Sequence, residues 1–274
     1  MPRQTGGIQL NQCGAPMVNL QLVNRLKLLA TTALMTLTPL SFAAEFWDLP
    51  PEVPPEQYGN ILINRLSEKN SVKPATFSHW LHRRKYTCRV CHFELEFNMK
   101  ANTTEITEAA NRQGQFCGTS GCHDGVKTFG HTDVADCNKC HNGDTNYSKA
   151  RFATLAKLPK ADHGNKIDWG MALNRGLMVP KKYLTLKPDT QVTFKETLVL
   201  ESEWMGIPPA VFSHTPHVWQ LDCSNCHPDL FNVKKKTTQH FTMVANLQGE
   251  FCGVCHMNVA FPMADCKRCH PAMQ

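Results

Sequence analysis

The sequence predicts a mainly irregular chain with short α-helices, organised as two copies of one module. The first observation is an internal repeat, since FSHWLHRRKYTCRVCH at 77–92 returns as FSHTPHVWQLDCSNCH at 212–227. Both early histidines, both cysteines and the closing histidine recur at one offset of 135 residues. The second observation is that six cysteine pairs are each followed immediately by a histidine. The repeat predicts the two modules, and the cysteine pairs predict what they hold.

These six motifs have the form that attaches a c-type haem, in which two thiols bond to the porphyrin and the next histidine binds the iron from below. Five read C-x-x-C-H, and the one at 117–123 has four residues between its cysteines, a spacing that some multihaem cytochromes accept. We therefore predict six covalently attached haems c, joined to Cys88, Cys91, Cys117, Cys122, Cys137, Cys140, Cys223, Cys226, Cys252, Cys255, Cys266 and Cys269. The lower iron ligands are His92, His123, His141, His227, His256 and His270.

Two other uses of paired cysteines are zinc binding and disulfide formation. Neither requires a histidine directly after the second cysteine, yet all six pairs have one. With 13 histidines in 274 residues, six such coincidences would arise by chance on the order of once in 10⁸. The pattern therefore favours haem.

Residues 1–43 are predicted to be a secretory signal peptide. They contain no acidic residue, and Arg25 and Lys27 precede the apolar run Leu28–Phe42, with small residues near Ala43 for cleavage. The run is short and interrupted for a membrane span, although an uncleaved anchor is the alternative. Because c-type haem is attached outside the cytoplasmic membrane, the mature chain is expected in the periplasm or outside the cell. Cys13 would leave with the leader.

The mature chain of about 230 residues supplies only about 38 residues per haem, too few for an ordinary protein core around each one. The porphyrins themselves must then form much of the core. The expected fold is irregular chain and short α-helices wrapped around covalently bound haems, with little sheet.

The remaining segments follow from composition. Residues 44–76 are predicted to be a proline-rich arm, with a short amphipathic helix at 60–69. The first tri-haem module covers 77–141 and the second 212–274. In the linking segment, 142–211, we predict a helix at 167–176 and a β-hairpin of 183–186 with 192–200 around Lys-Pro-Asp-Thr.

A histidine pair opens each module outside the attachment motifs. His79 and His82 are spaced i, i+3, which places both imidazoles on one face of a helical turn. They precede the second haem cysteine by twelve and nine residues, and His214 and His217 repeat this spacing. We interpret all four as upper iron ligands.

This arrangement resembles the tri-haem modules of the class III cytochrome c superfamily, in which a leading H-x-x-H precedes three attachment motifs. The two copies also share Gly-x-Phe-Cys-Gly at 114–118 and 249–253, and Ala-Asp-Cys at 135–137 and 264–266. The resemblance implies electron transfer by bis-histidine haems. It assigns His79 to the first haem, His82 to the second, and His214 and His217 to the fourth and fifth.

The two copies differ at their third haem. In small tri-haem cytochromes its upper ligand comes from the segment between the first two motifs, where the second copy has His240 and the first copy has Glu105. For the third haem we favour His131 over His163. The alternatives to histidine are Met99, Met243 and Met263, although methionines at such positions more often pack against porphyrin.

The function that the sequence favours is an exported hexahaem cytochrome that relays electrons in anaerobic respiration, without being an enzyme. Expected partners are a membrane quinol-oxidising complex and an outer-membrane conduit or terminal reductase. A homo-oligomer is compatible, and the alternatives are a multihaem reductase with one open haem or a subunit of an extracellular cytochrome filament. The sequence pI of about 8.7 does not indicate nucleic acid, because haem propionates would offset the basic excess.

Overall fold

The structure is a computed structural model that describes residues 49, 51–186, 193–234 and 238–274. All of these residues lie in one structural unit, Leu49–Gln274. The predicted signal peptide at 1–43 lies outside the described residues. In the described part of the chain, no helix has the length and hydropathy needed to cross a membrane.

The fold class predicted from the sequence is confirmed, because the described chain is mostly irregular and its elements are short. Among the described residues, the longest helix has seven residues. The α-helices are α1 His79–His82, α2 Glu108–Arg112, α3 Cys137–Cys140, α4 Lys149–Phe152, α5 Trp169–Asn174, α6 His214–Gln220, α7 Met243–Leu247, α8 Gly253–His256 and α9 Cys266–Cys269. The strands are β1 Asn60–Ile63, β2 Ala75–Ser78, β3 Thr197–Leu200 and β4 Ala210–Ser213. Single turns of 3₁₀ or π helix connect them at Glu68–Asn70, Val90–Glu94, Phe116–Gly118, Val134–Asp136, Ala153–Leu155 and Cys223–Asn225.

A two-stranded antiparallel sheet precedes each histidine pair. In the first, β1 pairs with β2 so that Asn60 lies opposite Ser78. In the second, β3 pairs with β4 so that Thr197 lies opposite Ser213. Each second strand runs directly into the helix that begins with the first histidine of H-x-x-H. The repeat is therefore one of structure as well as sequence, and the sheet determines where the helix starts.

The helix predicted at 60–69 is wrong, because Asn60–Ile63 is strand β1 and only Glu68–Asn70 forms a short 3₁₀ turn. Ile61 and Ile63 are β-branched residues that suit a strand. Pairing with β2 supplies their backbone hydrogen bonds and overrides the weak helical pattern.

The pairing predicted for the linking hairpin is also wrong. Residues 197–200 do form a strand, but its partner is β4 and not 183–186. The backbone N–H groups of Leu184, Thr185 and Leu186 instead donate to the Glu94 carboxylate at 2.7 Å each. They are thereby unavailable for a sheet. The predicted turn at 187–190 lies outside the described residues.

The helix predicted at 167–176 is confirmed as α5, which begins after Asp168. That side chain caps the helix by accepting from the Met171 N–H, and Gly176 follows with φ of 66°. The helix carries Trp169 into a small core with Trp80, Leu155 and Ile167. The linking segment therefore packs against the first module rather than acting as a tether.

The shared Gly-x-Phe-Cys-Gly motif builds the same turn in both modules. Its first glycine has φ of 80° at Gly114 and 83° at Gly249, and its phenylalanine is left-handed as well. The second glycine lies against the preceding helix. A Cβ on Gly118 would lie 1.8 Å from the Asn111 carbonyl oxygen, and a Cβ on Gly253 would lie 1.9 Å from that of Asn246. Only glycine fits there, which explains the repeated motif.

Candidate haem-binding sites

Backbone carbonyls hold both imidazoles of the first histidine pair. The Gly59 carbonyl accepts from the His79 backbone N–H and from His79 Nδ1, each at 2.9 Å. The Ser78 carbonyl accepts from His82 Nδ1 at 2.8 Å. With Nδ1 carrying the proton, Nε2 keeps its lone pair and is the atom able to bind a metal.

The second pair is held in the same way. The Glu196 carbonyl accepts from the His214 backbone N–H at 3.1 Å and from His214 Nδ1 at 2.9 Å. The Ser213 carbonyl accepts from His217 Nδ1 at 2.9 Å. Gly59 immediately precedes β1 and Glu196 immediately precedes β3, so the paired strands position these two acceptors.

A phenylalanine packs between the two imidazoles of each pair. Phe77 stacks on His82 with ring centroids 4.4 Å apart and meets His79 edge-on at 4.8 Å. Phe212 makes the corresponding contacts with His217 at 4.6 Å and His214 at 4.8 Å. The phenylalanine restricts rotation of both rings, so each pair is oriented before any ligand binds.

The six predicted lower ligands are oriented by the same type of bond. Each Nδ1 lies within hydrogen-bonding distance of a backbone carbonyl, between 2.6 and 3.3 Å away. The acceptors belong to Phe97 for His92, Phe129 for His123, Lys73 for His141, Phe231 for His227, Phe261 for His256 and Pro208 for His270. Every one of these imidazoles therefore presents Nε2 for a metal.

At two of the sites, the upper and lower imidazoles lie at a distance that suits a shared iron. The ring centroids of His82 and His123 are 6.1 Å apart, and those of His217 and His256 are 6.3 Å apart. With metal–nitrogen bonds of about 2.0–2.1 Å and roughly 1.1 Å more to each ring centre, an iron between two Nε2 atoms would separate the centroids by about 6.3 Å. The geometry fits bis-histidine haem at the second and fifth sites.

Burial keeps these imidazoles neutral, as metal binding requires. It lowers the pKa of His79 to about 3 and those of His82 and His256 to about 4. His92 adds to the effect on His79, which indicates that these two rings are also neighbours. Their proximity fits the ligand pair predicted for the first haem.

The third site distinguishes His131 from His163. His131 Nε2 is buried and makes no hydrogen bond to any residue that the structure describes. Burial lowers the pKa of His131, and Arg112 and His141 lower it further. His163 is partly exposed, and its Nδ1 lies 3.0 Å from the Glu52 carboxylate. A buried imidazole nitrogen without a partner is costly unless something binds it. The geometry therefore supports His131 as the ligand opposite His141.

At the sixth site, His240 is exposed and has a left-handed backbone with φ of 57°. It follows residues 235–237, which lie outside the described set. Its counterpart in the first module, Glu105, forms an exposed ion pair with Arg65 at 3.5 Å. His240 remains the proposed upper ligand opposite His270, whereas Glu105 pairs with Arg65 at the surface.

The attachment cysteines of neighbouring sites lie close together. Cys117 and Cys122 add to the burial that raises the pKa of Cys91 to about 12, and Cys140 does the same for Cys117. In the second module, Cys269 and Cys226 act in this way on Cys252. The twelve described cysteines are free of disulfides, and no three His, Cys, Asp or Glu side chains among the described residues converge into a metal-binding group.

The two modules meet at their first attachment motifs. The Asn225 side chain, between Cys223 and Cys226, donates to the His92 carbonyl at 2.7 Å. The Arg89 guanidinium donates to the Val218 carbonyl at 3.0 Å and also to the Leu221 carbonyl. These bonds join the first attachment motif of one module to that of the other.

The residues that orient the imidazoles are not evident from the side-chain pattern. Most act through backbone carbonyls, which leave no mark in the side-chain pattern. A signal was present in part, since a phenylalanine follows four of the lower ligands by four to six residues. The repeat also relates Lys73 to Pro208, the acceptors for the third and sixth lower ligands, by the same offset of 135.

Comparison with known proteins agrees with the division of the sequence into two modules. The family described as cytochrome c7 and related cytochrome c matches residues 75–142 and 210–271. Among solved structures, the C-terminal hexahaem fragment of GSU1996 is 26% identical over 81% of this chain and 98% of that one, with a TM-score of 0.25. The dodecahaem cytochrome c GSU1996 is 23% identical over 79% of this chain and 75% of that one, with a TM-score of 0.27. A search of curated proteins found no match.

The attachment motifs, the oriented imidazoles and the family match define a multihaem c-type cytochrome. Each of its two modules matches the cytochrome c7 model, at 75–142 and 210–271, and multihaem cytochromes of this kind transfer electrons.

Proposed function

We propose that the protein is an exported hexahaem cytochrome that relays electrons one at a time along a chain of bis-histidine haems in respiration. The observation that carries this proposal is the facing of upper and lower imidazoles, at 6.1 Å for His82 and His123 and 6.3 Å for His217 and His256. When bound, each haem supplies one reversible electron through its iron.

The protein's part is to fill both axial positions and hold them still. The carbonyl acceptors and the Phe77 and Phe212 wedges orient the rings, so little has to move when the charge of the iron changes. A closed iron also has no position at which a substrate could bind. Both features favour a carrier over a reductase.

The complete ligand set that we propose pairs His79 with His92, His82 with His123 and His131 with His141 in the first module. The second module pairs His214 with His227, His217 with His256 and His240 with His270. The proximity of Cys91 to Cys117, and of Cys117 to Cys140, supports a continuous series of sites for electron hopping.

Export is proposed from the leader pattern at 1–43 and from the chemistry of haem attachment. A membrane quinol-oxidising complex would be the donor. A terminal reductase or an outer-membrane conduit would be the acceptor.

The test is a potentiometric titration of the purified protein combined with its intact mass. We expect six haems by mass and six reversible one-electron steps, with an absorption spectrum that cyanide does not change. Fewer than six attached haems would contradict the proposal. A haem that binds cyanide readily would also contradict it and would favour a reductase.

A further inference from the structure

Arg83 lies where the two modules and the linking segment meet. It is the first residue after α1, and its backbone N–H donates to the His79 carbonyl at 2.8 Å. Its guanidinium lies over the Trp169 ring, 4.4 Å from the centroid. Guanidinium Nη1 donates to the Val259 carbonyl of the second module at 3.3 Å.

The contact with Val259 brings Arg83 to the fifth haem site. The Val259 N–H donates to the Cys255 carbonyl at 3.0 Å, so the carbonyl that receives Arg83 belongs to the turn that directly follows His256. Tyr58 joins the same turn, because its hydroxyl donates to the Ala260 carbonyl at 2.8 Å. The Arg83 side chain therefore lies beside His79, the upper ligand of the first site, and beside His256, the lower ligand of the fifth.

In the described part of the chain, no carboxylate offsets the charge of Arg83. Among the described residues, no Asp or Glu forms an ion pair with it, and its hydrogen-bond acceptor is a neutral carbonyl. Burial lowers its pKa, while Cys88 and Tyr58 raise it. Cys88 becomes an uncharged thioether on haem attachment, and burial raises the pKa of Tyr58, which keeps its hydroxyl neutral. Arginine stays protonated even so, because its ordinary pKa lies above 12.

We propose that Arg83 sets the potentials of the two haems at the module junction, holding the first and the fifth above the values that their ligands alone would give. This rests on the proposed function, since it assumes loaded bis-histidine sites. A ferric haem core carries one more positive charge than a ferrous core. A fixed cation in a partly buried place therefore destabilises the ferric form and favours the electron.

The consequence is a direction for electrons. Where this shift places the first and fifth haems above their neighbours in potential, an electron on a neighbouring haem would move towards the junction, and ferric iron at the first or fifth site would become ferrous. Electrons would then reside mainly on the two haems at the junction, which would connect the two modules for electron transfer.

The chain offers a matched control in Arg84. It is exposed, and its guanidinium donates to Thr154 Oγ1 at 2.9 Å, away from the junction. Arg83→Gln and Arg84→Gln remove the same charge from adjacent residues. Arg83→Lys keeps the charge but loses the planar contact with Trp169.

The experiment follows each haem separately by NMR through a stepwise oxidation of the full holoprotein. We expect Arg83→Gln to lower the midpoint potentials of the first and fifth haems selectively, with Arg83→Lys restoring most of the difference and Arg84→Gln changing neither selectively. An unchanged titration in Arg83→Gln, or an equal shift of all haems, would overturn the proposal. It would indicate that a propionate already neutralises the guanidinium.

Haem count and spin state keep this failure distinct from failure of the proposed function. If every variant retains all haems in the low-spin state, the carrier function stands and only the role of Arg83 is in question. If the unmodified protein itself shows an open or missing haem, the carrier function fails first.

Discussion

His82 and His123 lie 41 residues apart in the sequence, yet their ring centroids are 6.1 Å apart and both Nδ1 atoms point to backbone oxygens. His82 ends a helix that follows a β-strand, and His123 ends an attachment motif. The irregular chain between them brings the two imidazoles to a separation that suits one shared iron. The repeat of this relation in His217 and His256 makes it a property of the module.

The third haem provides the sharpest test of the ligand assignment. We expect His131→Ala to convert one haem to a high-spin, cyanide-binding form, because its buried Nε2 has no hydrogen-bond partner among the described residues and is free to bind iron. His163→Ala is the matched control, and it should leave every haem low-spin because His163 pairs with Glu52 at the surface. Electron paramagnetic resonance of the two variants distinguishes them. The reverse result would assign the ligand to His163.

The stretched motif is expected to carry a haem like the others. The Thr128 hydroxyl lies 2.8 Å from His123 Nδ1, and the Asp124 carboxylate accepts from the Gly121 N–H at 2.7 Å, so the longer loop is ordered by its own bonds. Replacing Cys117 and Cys122 with alanine should lower the intact mass by one haem. If the mass changes only by the two sulfur atoms, this site does not attach haem.

Close packing at the second glycine of Gly-x-Phe-Cys-Gly predicts a stability effect. Gly118→Ala or Gly253→Ala would place a methyl group within 2 Å of a helix carbonyl, and relief of such a clash costs about 1–3 kcal/mol or more. Thermal unfolding of the holoprotein measures the loss. Gly170→Ala, inside α5, is the control and should be neutral or stabilising by about 0.5–1 kcal/mol. Equal melting temperatures for the variants would contradict the packing.

Glu94 is predicted to hold the linking segment against the first module. Its carboxylate accepts from three consecutive N–H groups and from the Thr185 hydroxyl at 2.9 Å. Glu94→Ala should therefore speed amide hydrogen exchange at 184–186. Glu96→Ala, which alters a nearby exposed carboxylate, should leave that exchange unchanged. Unaltered protection in Glu94→Ala would mean that other contacts hold the segment.

The sequence predicted the parts of this protein that side-chain chemistry specifies. Attachment motifs show directly as Cys and His spacing, the repeat shows as a constant offset, and α5 is marked by Asp168 and Gly176. The strands were harder, because four-residue elements such as Asn60–Ile63 carry little periodicity and depend on a partner elsewhere. The predicted pairing of 183–186 with 192–200 does not form, because the Leu184 N–H donates to the Glu94 carboxylate, 90 residues away in the sequence. Carbonyl acceptors such as Gly59 depend on backbone position alone.

Two histidines are proposed to fill the axial positions of every iron. Low-temperature electron paramagnetic resonance of the oxidised protein, before and after addition of cyanide, tests this proposal. We predict low-spin ferric signals only, unchanged by cyanide. A high-spin signal that cyanide converts to low-spin would contradict the account and place an open iron among the sites, with the haem above His141 as the first to examine.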